Sequence, residues 1–183
     1  MNEQQIIELI KNDPWMMDVL NIAKVLNLPD WIIGAGFVRN KVWNHLHQID
    51  NQKHDTDIDL VYFDKNGNDE KGDIELTNKI RKETGMDWEI INESYAHKWN
   101  NFKPFKSTED AIAHWSETAT GVGVTIKNGE LVLVAPHGIK DLVNLIIKPS
   151  PYCLDKTNII TERVKNKRWL EKWPKLKLSR ELM

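Results

Sequence analysis

The chain has 183 residues, 40% apolar and 28% charged, with a net charge of −2, which excludes a disordered or fibrous polypeptide and fits a folded core. A single cysteine, Cys153, excludes an internal disulfide. No apolar run reaches the roughly 20 residues of a membrane span, and Met1-Asn2-Glu3-Gln4-Gln5 lacks the basic and apolar regions of a leader, so the expectation is a cytoplasmic protein that makes no membrane contact.

Residues 3–11 read as a short amphipathic helix. Asp13-Pro14 pairs an N-cap with proline at the first helical position, opening a helix over 14–27. Pro29-Asp30 breaks it, and a strand follows over 31–34. Gly34 and Gly36 make a turn, after which Val38, Val42, Trp43 and Leu46 recur at helical spacing. Residues 50–55 hold no apolar side chain and read as a loop. A strand over 57–63 ends in the turn Lys65-Asn66-Gly67-Asn68. The stretch 69–83 is helical but so polar that it reads as peripheral. A third strand covers 87–92, with a short helix to Trp99 and a connection over 102–106. Ser107 opens a helix over 108–115 in a variant capping box. Asn128-Gly129 between two β-rich runs predicts a hairpin over 121–135. Helices over 139–147 and 158–172 close the chain, the last stopped before Pro174.

The segment 31–64 carries the chemistry. In a strand, alternate side chains share a face, so Asp57 and Asp59 point the same way with Cα atoms roughly 6.5 Å apart. Their neighbours Ile58, Leu60, Val61, Tyr62 and Phe63 are apolar. Two carboxylates on one face of a largely buried strand repel each other, and a hard divalent cation is a natural remedy. A strand whose aspartates simply face solvent has the same spacing. Upstream, the Gly34–Gly36 turn leads into a helix whose first N–H groups can meet phosphate. Arg39 stands one turn in, placed to reach a phosphate or pair with an acid. Asn40 would orient a ribose or cap the turn. Acids that hold metal beside an anion cradle suit phosphoryl or nucleotidyl transfer.

At these positions Ala35-Gly36-Phe37-Val38-Arg39-Asn40 and Asp57-Ile58-Asp59-Leu60 resemble the glycine-turn and Asp-x-Asp signatures of polymerase-beta-like nucleotidyltransferases, nearest in form to the branch of tRNA CCA-adding enzymes and poly(A) polymerases. Gly36 to His47, Asp57 to Asp64, Trp88 to Asn92, Trp115 to Val124 and Trp173-Pro174 further resemble a small bacterial nucleotidyltransferase-like family. Ala35 stands where the superfamily pattern has a glycine, and the interval from Gly36 to Asp57 is several residues longer. The resemblance implies a small, mixed, twisted α/β (α+β) sheet flanked by helices, as one domain over 1–183. Its core would span about 14–100, with a C-terminal hairpin and helices over about 107–183. It implies Mg²⁺ (or Mn²⁺) held by Asp57 and Asp59, an NTP held by Gly34, Ala35, Gly36, Arg39 and Asn40, and transfer of NMP to an acceptor that the sequence does not identify. It also implies a third acid on the next strand, for which Glu89 is the candidate. Glu89 shares a face with Ile91, opposite Trp88 and Ile90, and an exposed edge glutamate would show the same alternation. A nucleotide-binding or interaction module that has lost catalysis is the alternative.

Other features have plainer readings. His54-Asp55 resembles a metal-dependent phosphohydrolase dyad but sits in a loop. His45 and His47 cannot share a helical face, His97 follows the third strand, and Cys153 has no adjacent base. Residues 139–183 hold 11 Lys/Arg against 5 Asp/Glu, whereas 1–138 hold 14 against 22. Trp169 and Trp173 lie one helical turn apart among Arg163, Lys165, Lys167, Arg168 and Lys172. That pattern fits a nucleic-acid surface, or a helix docked by its tryptophans with its lysines in water.

Overall fold

The computed structural model describes residues 1–49 and 56–183, so the predicted loop 50–55, with His54 and Asp55, lies outside the described residues. Helix α1 (Glu3–Lys11) starts with a capping box between Asn2 and Gln5. Helix α2 (Pro14–Val25) starts at Asp13, which accepts from the Met16 N–H and binds Lys41 Nζ at 2.6 Å. Strand β1 (Ile32–Gly34) passes through Ala35 into α3 (Gly36–His47). Then come β2 (Ile58–Tyr62), α4 (Glu70–Thr84), β3 (Trp88–Asn92) and the short α5 (Glu93–Ala96). Helix α6 (Thr108–Ala113) is capped by Ser107. The hairpin is β4 (Gly123–Lys127) and β5 (Glu130–Val134), with Asn128 and Gly129 both at positive φ, as a tight two-residue turn requires.

The C-terminal quarter departs from the predicted helices. Only α7 (Lys140–Val143) forms in the first, and Ile146–Ile147 becomes β6, parallel to β7 (Lys177–Leu178). The second divides into α8 (Thr157–Asn166) and α9 (Trp169–Lys172) at Arg168, whose φ is 51°. A left-handed residue costs about 1–2 kcal/mol. In return Trp169 and Trp173 pack edge-on against Trp43 at centroid distances of 5.4 and 5.0 Å, and the Trp173 indole N–H donates to Asn44 Oδ1 at 2.7 Å. Both indoles are buried, and burying each is worth more than the strained residue costs.

The main sheet has the order β3-β2-β1-β4-β5, with β2 and β3 parallel and the other neighbours antiparallel. It is the mixed, twisted, helix-flanked sheet expected of the chain, with the hairpin as its far edge. Alternation gives it two different faces. Ile58, Leu60, Tyr62, Trp88 and Ile90 join the core that α1–α3 and the C-terminal tryptophans cover. On the other face Ile32 and Val61 meet Ile112, Val134, Ile91 and Trp115 in a smaller cluster, and the acids lie on this face. Helix α4 is less peripheral than its polarity suggests. Asp73 is 2% exposed and accepts from the Tyr62 hydroxyl at 2.6 Å, the Tyr95 hydroxyl at 2.7 Å and the Asn92 N–H at 2.6 Å. Bonds to a buried carboxylate contribute about 1.5–3 kcal/mol each, so Asp73 anchors the helix to the ends of β2 and β3, and Thr77 and Arg81 add bonds to β3 at Ile90 and Trp88. Among the described residues no helix is long and apolar enough to cross a membrane.

Candidate active site

Asp59 faces Glu89 across the parallel β2–β3 ladder, and Asp57 precedes Asp59 on the same face. One ligand oxygen from each of Asp57, Asp59 and Glu89 lies within 4.8 Å of the others. Asp59 is half-buried, while Asp57 and Glu89 are exposed. Burial, then the charges of Asp57 and Glu89, push the Asp59 carboxyl up to about 7, against the opposing pull of Arg39 and Lys167. Three carboxylates that resist joint ionisation, all offering oxygen, are a donor set that could coordinate a divalent cation such as Mg²⁺.

The turn upstream shapes one flank. Ala35 holds φ 49° and ψ −121°, where glycine is favoured. Among the described residues helix α3 begins without a side-chain cap, which leaves its first N–H groups for an anion. A Cβ on Gly36 would come 2.2 Å from Thr56 Oγ1, and that hydroxyl is 3.3 Å from Asp57 Oδ1. Gly36 thus lets the turn approach the acids. Gly34 has a different reason: a Cβ there would press the Trp115 ring at 2.8 Å.

Arg39 is 3% exposed and held on several sides. It donates to Thr120 Oγ1 at 2.8 Å and twice to Asn40 Oδ1, at 3.2 and 3.0 Å. Its guanidinium lies 4.3 Å from the Trp169 ring centroid and 5.2 Å from that of Trp43. Thr120 in turn donates to the buried Glu117 at 2.6 Å, and Glu117 faces Arg163 at 3.5 Å. Burial pulls the guanidinium down to about 10, opposed chiefly by Glu117, so Arg39 stays charged at neutral pH. Glu117 and Thr120 lie in the stretch Trp115 to Val124 that resembles the small bacterial family, but nothing local in it marks Glu117's distant partner Arg163 or Thr120's bond to Arg39.

The acids stand between two concavities. One, of about 500 Å³, is lined by Arg39, Asn40, Asp57, Lys167 and Trp169, with Lys172 beside them. The basic segment thereby reaches the acids, although its tryptophans are buried and unavailable for stacking. The other, of about 410 Å³, has Asp59, Val61, Glu89, Ile91 and Glu93 as its floor and aromatic walls. Glu93 is 5% exposed; burial pushes its carboxyl up to about 7, and a hydrogen bond from Trp115 partly offsets this.

Three other side chains singled out in the sequence make local contacts. His47 contacts the Trp43 carbonyl through Nδ1 and accepts the Lys175 N–H at Nε2. His97 packs against Phe105. Cys153 is buried, its thiol 3.7 Å from the His114 carbonyl.

A family model described as nucleotidyltransferase matches residues 21–178. A protein whose NMR structure reveals a CCA-adding enzyme head domain is 31% identical, with a TM-score of 0.87 over 97% of this chain and 96% of that one. The Thermotoga maritima CCA-adding enzyme complexed with tRNA is 15% identical, with a TM-score of 0.59 over 95% of this chain and 42% of its own. A tRNA nucleotidyltransferase complexed with a primer tRNA and an incoming ATP analogue is 19% identical, with a TM-score of 0.56 over 90% and 47%. The last two show likeness of fold alone, and the chain spans less than half their length. No curated protein matches.

Proposed function

The chain belongs to the nucleotidyltransferase family, of the polymerase-beta-like and CCA-adding superfamily, and from that premise we propose that it moves a nucleoside monophosphate from an NTP to an acceptor hydroxyl. The convergence of Asp57, Asp59 and Glu89 at the ends of two parallel strands carries this reading. The three would hold Mg²⁺ or Mn²⁺, which when bound supplies charge neutralisation for the triphosphate and acidifies the attacking hydroxyl. The uncapped start of α3, with Ala35 and Gly36, offers N–H groups to phosphate. Arg39 and Lys167 set a positive flank beside it, and Asn40 lies within reach of a ribose. Glu89, exposed at the rim, takes the acceptor proton as the hydroxyl oxygen bonds to the α-phosphorus and pyrophosphate departs. Glu89 pointing into the cluster favours an enzyme over a module that only binds.

The test is incubation with α-labelled NTPs, Mg²⁺ and pooled acceptors including RNA ends. Labelled product and pyrophosphate are expected from the native protein and neither from Asp59→Asn. Product formation undiminished in Asp59→Asn would refute the assignment.

A further inference from the structure

We propose that the aromatic cavity beside the acids is the acceptor subsite, and that it takes a small alcohol bearing an ammonium group, which Glu93 recognises. The inference rests on the transferase reading for the word acceptor, and on the cavity itself for the chemistry. Asp59 and Glu89 belong to both the acid cluster and the cavity floor, so a hydroxyl seated at that end is next to the reacting atoms. Glu93 lies four residues beyond Glu89, roughly 13 Å away at most, and lines the same floor. Side chains reaching in from both ends leave a span that one small molecule bridges. The volume of about 410 Å³ lies within the small-ligand range.

Charge and aromaticity decide the class. A carboxylate 5% exposed, with the Trp115 hydrogen bond beside it but no counter-charge, is costly unless a cation meets it. Among the described residues no cation pairs with Glu93. The two cations on the lining are already engaged: Arg163 with Glu117, and Lys156 with Asn100 Oδ1 at 3.0 Å and the Phe102 ring. The walls include Trp99, Phe102, Phe105 and Trp115, and aromatic rings attract an ammonium ion.

Three probes that share a phenethyl-type ring but differ in charge test this on the full chain: phenethylamine, 2-phenylethanol and phenylacetate. Their binding is followed through the indole N–H signals of Trp99 and Trp115. Phenethylamine should bind about 10-fold more tightly than phenylacetate, and Glu93→Gln should erase that preference while leaving 2-phenylethanol unchanged. Trp99→Ala, at a position 52% exposed, is a second variant that spares the core and should also weaken the amine. Equal binding of all three probes, binding of none, or an RNA oligonucleotide shifting the same signals instead would overturn the proposal. Mg-ATP added to the same samples separates the two readings. Mg-ATP binding without amine binding refutes the subsite alone; amine binding without Mg-ATP binding supports the cation cavity and refutes the transferase.

Discussion

Replacing Asp59 by Asn should stabilise the metal-free protein at alkaline pH. The carboxyl stands at about 7 against an ordinary 3.8, raised by burial first and then by Asp57 and Glu89. A carboxyl raised on folding contributes stability that is full below about pH 4 and lost as pH climbs through about 7. Each pH unit between those values is 1.36 kcal/mol, roughly 4 kcal/mol at face value. Asp57 and Glu89 are exposed to water, which screens the repulsion, so about 2 kcal/mol is expected. For a chain of this size that is a rise of about 4–8 °C in Tm. Thermal unfolding in EDTA at pH 5, 6.5 and 8 should show the variant's advantage growing with pH. Mg²⁺ should reverse the order: at about 100 times its Kd it returns about 2.7 kcal/mol to the native protein and little to the variant. A difference independent of pH, a less stable variant at pH 8 in EDTA, or equal Mg²⁺ shifts in both proteins would refute the electrostatic reasoning.

Ala35→Gly should raise stability by about 1 kcal/mol in denaturant unfolding, since relief of the positive φ exceeds the added chain entropy of glycine. Arg39→Lys should cost about 2–4 kcal/mol by the same measurement, because an ammonium cannot keep the Thr120 and Asn40 bonds and the Trp169 contact together. Lys167→Ala should weaken Mg-NTP binding about 10-fold in calorimetry and flatten its salt dependence, leaving Tm unchanged. Trp173→Phe should cost about 1–3 kcal/mol, as it strands the buried Asn44 carbonyl.

The parts legible in the sequence were those with local signals. Period-two alternation set which face carries Asp57, Asp59 and Glu89, and β3 obeys it: Trp88 and Ile90 are buried and Glu89 is exposed. Asn128-Gly129 marked the hairpin, and Asp13-Pro14 and Ser107 marked helix starts. Features decided by distant partners were not legible. Ile146 and Ile147 fit a helix until Lys177 and Leu178 arrive alongside them. The break at Arg168 exists because Trp43, more than a hundred residues earlier, receives both indoles. Asp73 looked like one more charge on a solvated helix, yet three donors converge on it. The basic C-terminal segment was visible as composition, but not its placement of Lys167 beside Asp57. Glu93 stands just past the end of β3, a poorer position than Glu89 for the third acid; the cavity is what suggests a role for it.

The most direct test of the site is a paramagnetic titration of Mn²⁺ with α,β-methylene-ATP. In the native protein the nucleotide should tighten Mn²⁺ binding, and Mn²⁺ should tighten nucleotide binding by the same factor. Asp57→Asn and Asp59→Asn should each weaken the ternary complex by about 100-fold or more, and Glu89→Gln should weaken it less. Undiminished Mn²⁺-nucleotide binding in both aspartate variants, or nucleotide binding indifferent to the metal, would contradict a catalytic centre built on these three acids.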